Sequence, residues 1–324
     1  EEEEAEEGTR KEDDAQIYFT GGRKQNCVVV SLSMLSGLTS GISYLGCPGL
    51  AFSTGMMQLS MQLGSCLSIP FITLVLIPFY WKSNVSTLYE YLDLRYGTTV
   101  RMVASLIFVL RTIMYLSIVL LAPSIVVEIF HIHQQTFILV VGLTSTMYTA
   151  KGGLSSVLST DALQSVALTI VMLIILTSLL SSNSGGQTVN FREYTIMDNP
   201  ATWEVGLYGP MTVWSGLVSG LTATAAQCGA DQIAVQRYLS VRNLGAAQKT
   251  AVVGVVSAAM FTSFQIFTGC LLASYYHSRR PMELKEDDQI LPFYVGTEMS
   301  HGAVGACLAA LTGCTMSVMS GKKF

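Results

Sequence analysis

Residues 31–55 read SLSMLSGLTSGISYLGCPGLAFSTG. The stretch is long and apolar enough to cross a bilayer, which takes about 20 residues of helix. Yet it is dense in Ser and Thr, carries Pro48, and has glycines at 37, 41, 46 and 49 that weaken helix continuity. Broken backbone at membrane depth survives only where it is buried in protein or lines a cavity. Unwound carbonyls together with hydroxyls make a hard oxygen environment suited to a small cation. The competing reading is a small-residue face for helix–helix packing.

Outward from this stretch, the rest of the chain is of the same kind. Half of its 324 residues are hydrophobic and 12% are charged, about half the charge of a soluble domain. The mean hydropathy is +0.48. Apolar runs fall at about 27–52, 57–80, 100–130, 134–150, 161–181, 209–229, 248–276 and 302–320. They are continuous rather than alternating, so helix is the spanning form, not barrel strand. The expectation is an all-α, polytopic transmembrane bundle of about eight spans. The net charge of −4 comes largely from residues 1–14, EEEEAEEGTRKEDD, an acidic run that reads as a solvated, disordered tail. It lacks the basic start and apolar stretch of a signal peptide.

Orientation follows from Lys and Arg placement. With residues 15–26 in the cytoplasm, the inner segments carry Arg23, Lys24, Lys82, Arg95, Arg101, Lys151, Arg237, Arg242, Lys249, Lys322 and Lys323. The outer segments carry only Arg192, Arg279, Arg280 and Lys285. The sequon Asn84-Val85-Ser86 then faces the cytoplasm and should carry no glycan. The longer loops, about 182–208 and 277–301, fall outside.

Residues 215–231, SGLVSGLTATAAQCGAD, repeat the Gly-rich character in the sixth span. Two interrupted spans five helices apart are the pattern of an inverted-repeat transporter, whose site lies between broken helices; both could equally be packing helices. The eighth span ends LTGCTMSVMSG, where Thr312, Thr315 and Ser317 either bond back to their own helix or offer oxygens to the first span. Arg111 lies inside the third span, where a charge is costly and usually faces a cavity or a partner. It reads as an anion fork, a structural pair, or a snorkelling side chain. Toward the cytoplasm, YTAKGGLSSVLSTDALQ (148–164) reads as a turn leading into a helix that opens on Thr160-Asp161, STLYEYLDLRYG (86–97) as a short interfacial helix, and GADQIAVQRYLSVRNLGAAQKTA (229–251) as an amphipathic connector. The seven cysteines lack metal-type spacing, the histidines sit at outer edges, and no nucleophile–base pair stands out. An enzyme, a cofactor site or a nucleic-acid surface is not expected.

Four of these strings carry a resemblance. The loop Phe19-Thr20-Gly21-Gly22-Arg23, the string YEYLDLRYG, the element GGLSSVLSTDALQ and above all DQIAVQRYL resemble the sodium/solute symporter family, from about residue 15 to the end. The resemblance implies a plasma-membrane protein with a LeuT-like five-plus-five inverted repeat: residues 15–181 as the first repeat, 182–324 as part of the second. A helix preceding the core and the last core helices would be missing, so the chain reads as incomplete. It implies sodium as coupling ion, held by carbonyls of Ser36, Thr39 and Leu311 and by side chains at Cys314 and Thr315, with Asp161 on the sodium exit. Cys314 departs from the family's hydroxyl, and sulfur is a poor ligand for a hard cation. Asp231 stands in the place of the family's Asn. Leu38, Ser43 and Thr224, with Gln227 in place of an aromatic gate, argue against a sugar. FVLRTIMYLSIVLLAPSIVV is similar to the monocarboxylate, multivitamin and iodide branch, which usually carries a neutral polar residue at the place of Arg111. On this resemblance the partners are sodium, the bilayer and a small organic anion, with Ser43, Arg111, Thr224 and Gln227 as candidate solute contacts. An uncoupled channel-like or sensor protein of the same fold, or a non-transporting fragment, is the alternative.

Overall fold

Helix α1 (Cys27–Leu38) opens on Asn26, whose side chain accepts from the Val28 amide at 2.9 Å, and stops where Thr39 turns extended (φ −105°, ψ 126°). Helix α2 (Gly41–Thr54) restarts after an equally extended Ser40, whose hydroxyl caps it by accepting from the Ser43 amide at 3.2 Å. The first span is therefore broken at Thr39-Ser40. Pro48 does not break it; α2 runs through this residue. Gly269 packs directly on this turn of α2, because a Cβ there would overlap the Pro48 carbonyl.

The computed structural model describes Tyr18, residues 21–83, Val85, and residues 87–128, 133–183, 212–276 and 286–321. The acidic run 1–14, the sequon residues Asn84 and Ser86, and most of both outer loops lie outside the described residues.

After α2 the chain reverses at Gly55 (φ 71°). The thiol of Cys270 reaches the Ala51 carbonyl before the turn, and the Gln248 amide reaches the Thr73 carbonyl after it. Those two partners are 22 residues apart on one helix, about 33 Å by helical rise, so the returning segment runs the depth of the membrane. It is built of α3 (Leu59–Leu67), α4 (Ile69–Phe71), one π turn (Ile72–Leu76) and α5 (Ile77–Lys82). Pro70 and Pro78 each remove an amide, which explains the irregular ladder.

The interfacial helix is present as α6 (Leu88–Tyr96), capped by Thr87 and closed by Gly97 at φ 88°. Next come α7 (Thr98–Glu128) and the run α8 (Gln134–Asn183), which kinks at Gly153 (φ 60°, ψ −166°). The 48-residue stretch 134–181 thus makes two helical segments rather than one rod. The second segment opens after Gly153 and not at Thr160-Asp161, which sit within regular helix. The Thr160 hydroxyl bonds back to the carbonyls of Ser156 and Val157.

Helix α9 (Val213–Ala230) corrects the expectation of a second interrupted span. It is continuous, and the break comes at its end, where Asp231 caps α10 (Gln232–Leu239). A Cβ at Gly216 would overlap the Ser60 hydroxyl, one at Gly220 the Met61 carbonyl, and one at Gly64 the Leu217 carbonyl. The glycines serve backbone contact between α9 and α3, which lipid-embedded helices need because apolar burial gives them little driving force. The chain finishes through α11 (Leu244–Tyr276), α12 (Ile290–Glu298) and α13 (His301–Gly321).

Two apolar tiers result. One gathers Tyr44, Leu168, Met172, Leu272, Tyr294 and Leu311; the other gathers Val30, Tyr80, Leu158, Val235 and Tyr238. Between them lies a buried polar layer that includes Ser33, Ser36, Thr39, Asp161, Thr315 and Ser317.

Candidate functional site: the polar layer at the helix break

Ending α1 in extended backbone strands its last-turn carbonyls, which lose their intrahelical donors. The structure brings all five residues expected around sodium to this place. The Cys314 thiol donates to the Thr39 carbonyl at 3.4 Å. Ser36 accepts from the Ser317 hydroxyl at 3.0 Å and donates to the Ser33 carbonyl at 3.0 Å. The Thr315 hydroxyl bonds back to the Leu311 carbonyl of its own helix at 2.9 Å, and it would lie 3.1 Å from a Cβ placed on Gly41. Side chain and backbone oxygens here are hard donors, which fits a small cation, and the sulfur of Cys314 is the one member that does not. All five residues are buried.

One step toward the start of α1 lies a fully enclosed ion pair. Arg237 of α10 meets Asp161 of α8 at 2.6 Å, with side chains 3% and 0% exposed. Ser33 donates to the same carboxylate oxygen at 2.9 Å, while the other oxygen has no hydrogen-bond partner among the described residues. Gly37 is needed here, because a Cβ would overlap the guanidinium; Gly321 faces it from α13. One side chain thus ties together α1, α8, α10 and α13. Its sequence signal was an arginine in a short amphipathic helix, which placed it on a connector and not at the centre of the bundle.

The candidate solute contacts separate. Thr224 and Gln227 line a cavity of about 230 Å³ between α3, α9, α11 and the end of α1, together with Leu38, Gln62, Ser65 and Thr262. Thr224 donates to Ser65 at 2.9 Å. Gln62, Ser65 and Thr262 were missed by sequence reasoning, since a lone polar residue in an irregular span carries no pattern. Among the described residues no ionised side chain lines this cavity. Ser43 does not line it either, and pairs instead with Ser40 at 3.0 Å. Arg111 lies 3.6 Å from Asp231, with side chains 61% and 10% exposed. This contact accords with the reading of Arg111 as a structural pair.

The family model described as "Sodium:solute symporter family" matches residues 18–323. The chain belongs to that family. It is a membrane protein of the plasma membrane, with several helices long and apolar enough to cross the bilayer. It is 27% identical to the human sodium/iodide cotransporter over 94% of this chain and 49% of the relative. It is 25% identical to the human sodium-coupled monocarboxylate transporter 1 over 94% of this chain and 51% of that protein. The chain therefore spans about half the length of these curated relatives. Its fold matches a solved Na+-coupled sialic acid symporter with a TM-score of 0.84, at 23% identity, over 95% of this chain and 65% of the other. That symporter was captured in a substrate-bound outward-open state with a novel Na+-site.

Proposed function

We propose that this chain forms the ion- and solute-binding part of a sodium-coupled symporter that carries a small organic solute, a monocarboxylate or vitamin-like anion, into the cell by alternating access. The supporting observation is the convergence of Ser36, Thr39, Leu311 and Thr315 at the broken backbone between α1 and α2. Sodium bound there joins α1 and α2 to α13, and a cation that binds one arrangement of these helices more tightly shifts the bundle toward it. The solute binds in the neighbouring cavity, against Thr224 and Gln227. Asp161, beyond Ser33, receives sodium on its way inward. Residues 15–181 belong to the first repeat and 182–324 to the second. The work is binding and movement, with no covalent chemistry.

The test is uptake by the intact protein of radiolabelled monocarboxylates, vitamins and sugars, with sodium or with choline in its place. Sodium-dependent uptake of a carboxylate supports the reading; uptake of sugars alone overturns the solute class. The Cys314 thiol favours one alternative, an uncoupled channel-like or sensor protein, because sulfur replaces oxygen at a sodium ligand. Sodium-independent solute currents would decide for it.

A further inference from the structure

Two cavities share a wall. Gln227 and Leu38 line the 230 Å³ solute cavity, and the same two side chains line a smaller cavity whose other members include Tyr115, Asp231 and Ala234. Asp231 ends α9 on its cytoplasmic side, by the orientation that Lys and Arg placement gives. A solute leaving inward past Gln227 thus meets Asp231 next.

What holds that region shut differs from the rest of the bundle. Helix α7 packs on α2, α6, α8 and α13, but among the described residues it does not pack along α9 or α10. The Arg111–Asp231 pair spans this gap. At 3.6 Å the pair is longer than a hydrogen bond. Asp231 is fixed from its own side, because one carboxylate oxygen caps α10 by accepting the Ile233 amide at 3.2 Å. Arg111 is the freer partner, a long side chain roughly 20 Å along α7 from its start. A guanidinium at that depth requires a polar path or a partner. The Arg237–Asp161 pair differs: its side chains are 3% and 0% exposed, enclosed among α1, α8, α10 and α13.

We propose that Arg111 and Asp231 form the inner gate of the solute route. Closed, the pair draws α7 against the α9–α10 junction and seals the smaller cavity. Open, α7 swings from that junction and the solute leaves past Gln227, with Asp231 still capping α10. The proposal rests on the symport reading for the identity of the traffic, but the gate can be tested without transport.

The experiment uses the intact protein in inside-out vesicles, carrying Ala234→Cys as a reporter in the wall of the smaller cavity. Labelling of that position by a membrane-impermeant maleimide is followed by peptide mass spectrometry, with native Cys27, half-buried at the cytoplasmic start of α1, as internal reference. Asp231→Asn keeps the helix cap and removes only the charge; Arg111→Gln removes the other. Each should speed labelling roughly three- to fivefold, as expected for loss of a partly exposed pair. The exchange Arg111→Asp with Asp231→Arg should return it toward the parent rate. Unchanged labelling in both single variants, or an exchanged protein as reactive as the singles, overturns the gate. Altered labelling together with no sodium-dependent uptake would instead overturn the symport reading and leave the gate standing.

Discussion

The first and sixth spans have nearly the same composition, apolar with glycines and hydroxyls, and opposite structures. Between α1 and α2 the helix stops for two residues, and polar partners from elsewhere hold the open backbone: Ser40 caps α2 and Cys314 donates to Thr39. Along α9 the helix is unbroken, and Gly216 and Gly220 serve to bring α3 into backbone contact. A glycine count does not distinguish these outcomes. What distinguishes them is whether the neighbouring helix offers a hydrogen-bonding group or a backbone ridge, and that is a property of the tertiary fold.

The comparison can be broken at its most heavily stressed point first. Arg237 lies against Gly37 at the end of α1, so Arg237→Met leaves Asp161 buried and unpaired. The expected cost is about 3–5 kcal/mol, read as loss of thermal stability in detergent; the double variant with Asp161→Asn should recover part of it. Next, Gly220→Ala on α9 forces a methyl into the Met61 carbonyl and should cost about 1–3 kcal/mol. Gly46→Ala on α2 is the matched control. A Cβ there comes no closer than 3.9 Å to a neighbour, so the change should lie within about 0.5 kcal/mol. Equal costs at 220 and 46 would erase the distinction between a packing glycine and a tolerant one. At the break itself a gain is expected: Cys314→Ser places an oxygen there and should tighten sodium binding about threefold, roughly one improved ligand contact, measured by isothermal titration.

Much of this was legible in the sequence. Charge scarcity and continuous apolar runs pointed to a helical membrane bundle, and the strings around Asp161 and Arg237 carried the family. That the first span is interrupted was read from its hydroxyls, glycines and Pro48, the same signals that misled in the sixth span; Ser36 and Thr39 were singled out by the family resemblance, and Pro48 drew attention to the wrong residue. Three things were not. The partner of Arg111 is 120 residues away in the chain, and no local pattern joins the two. The same holds for Arg237 and Asp161, 76 residues apart. The start of the second α8 segment was misplaced because Thr160-Asp161 has the chemistry of a cap, while Gly153 supplies the positive φ that turns the chain.

The central claim is that sodium binds at the α1–α2 break through Thr315. The most direct measurement is the thermal stability of the intact protein in sodium and in choline, for the native chain and for Thr315→Val. Sodium should raise the melting temperature of the native protein, since a ligand bound only to the folded state stabilises it by mass action, and that rise should be lost in Thr315→Val. An equal rise in both proteins, or none in the native one, would contradict it.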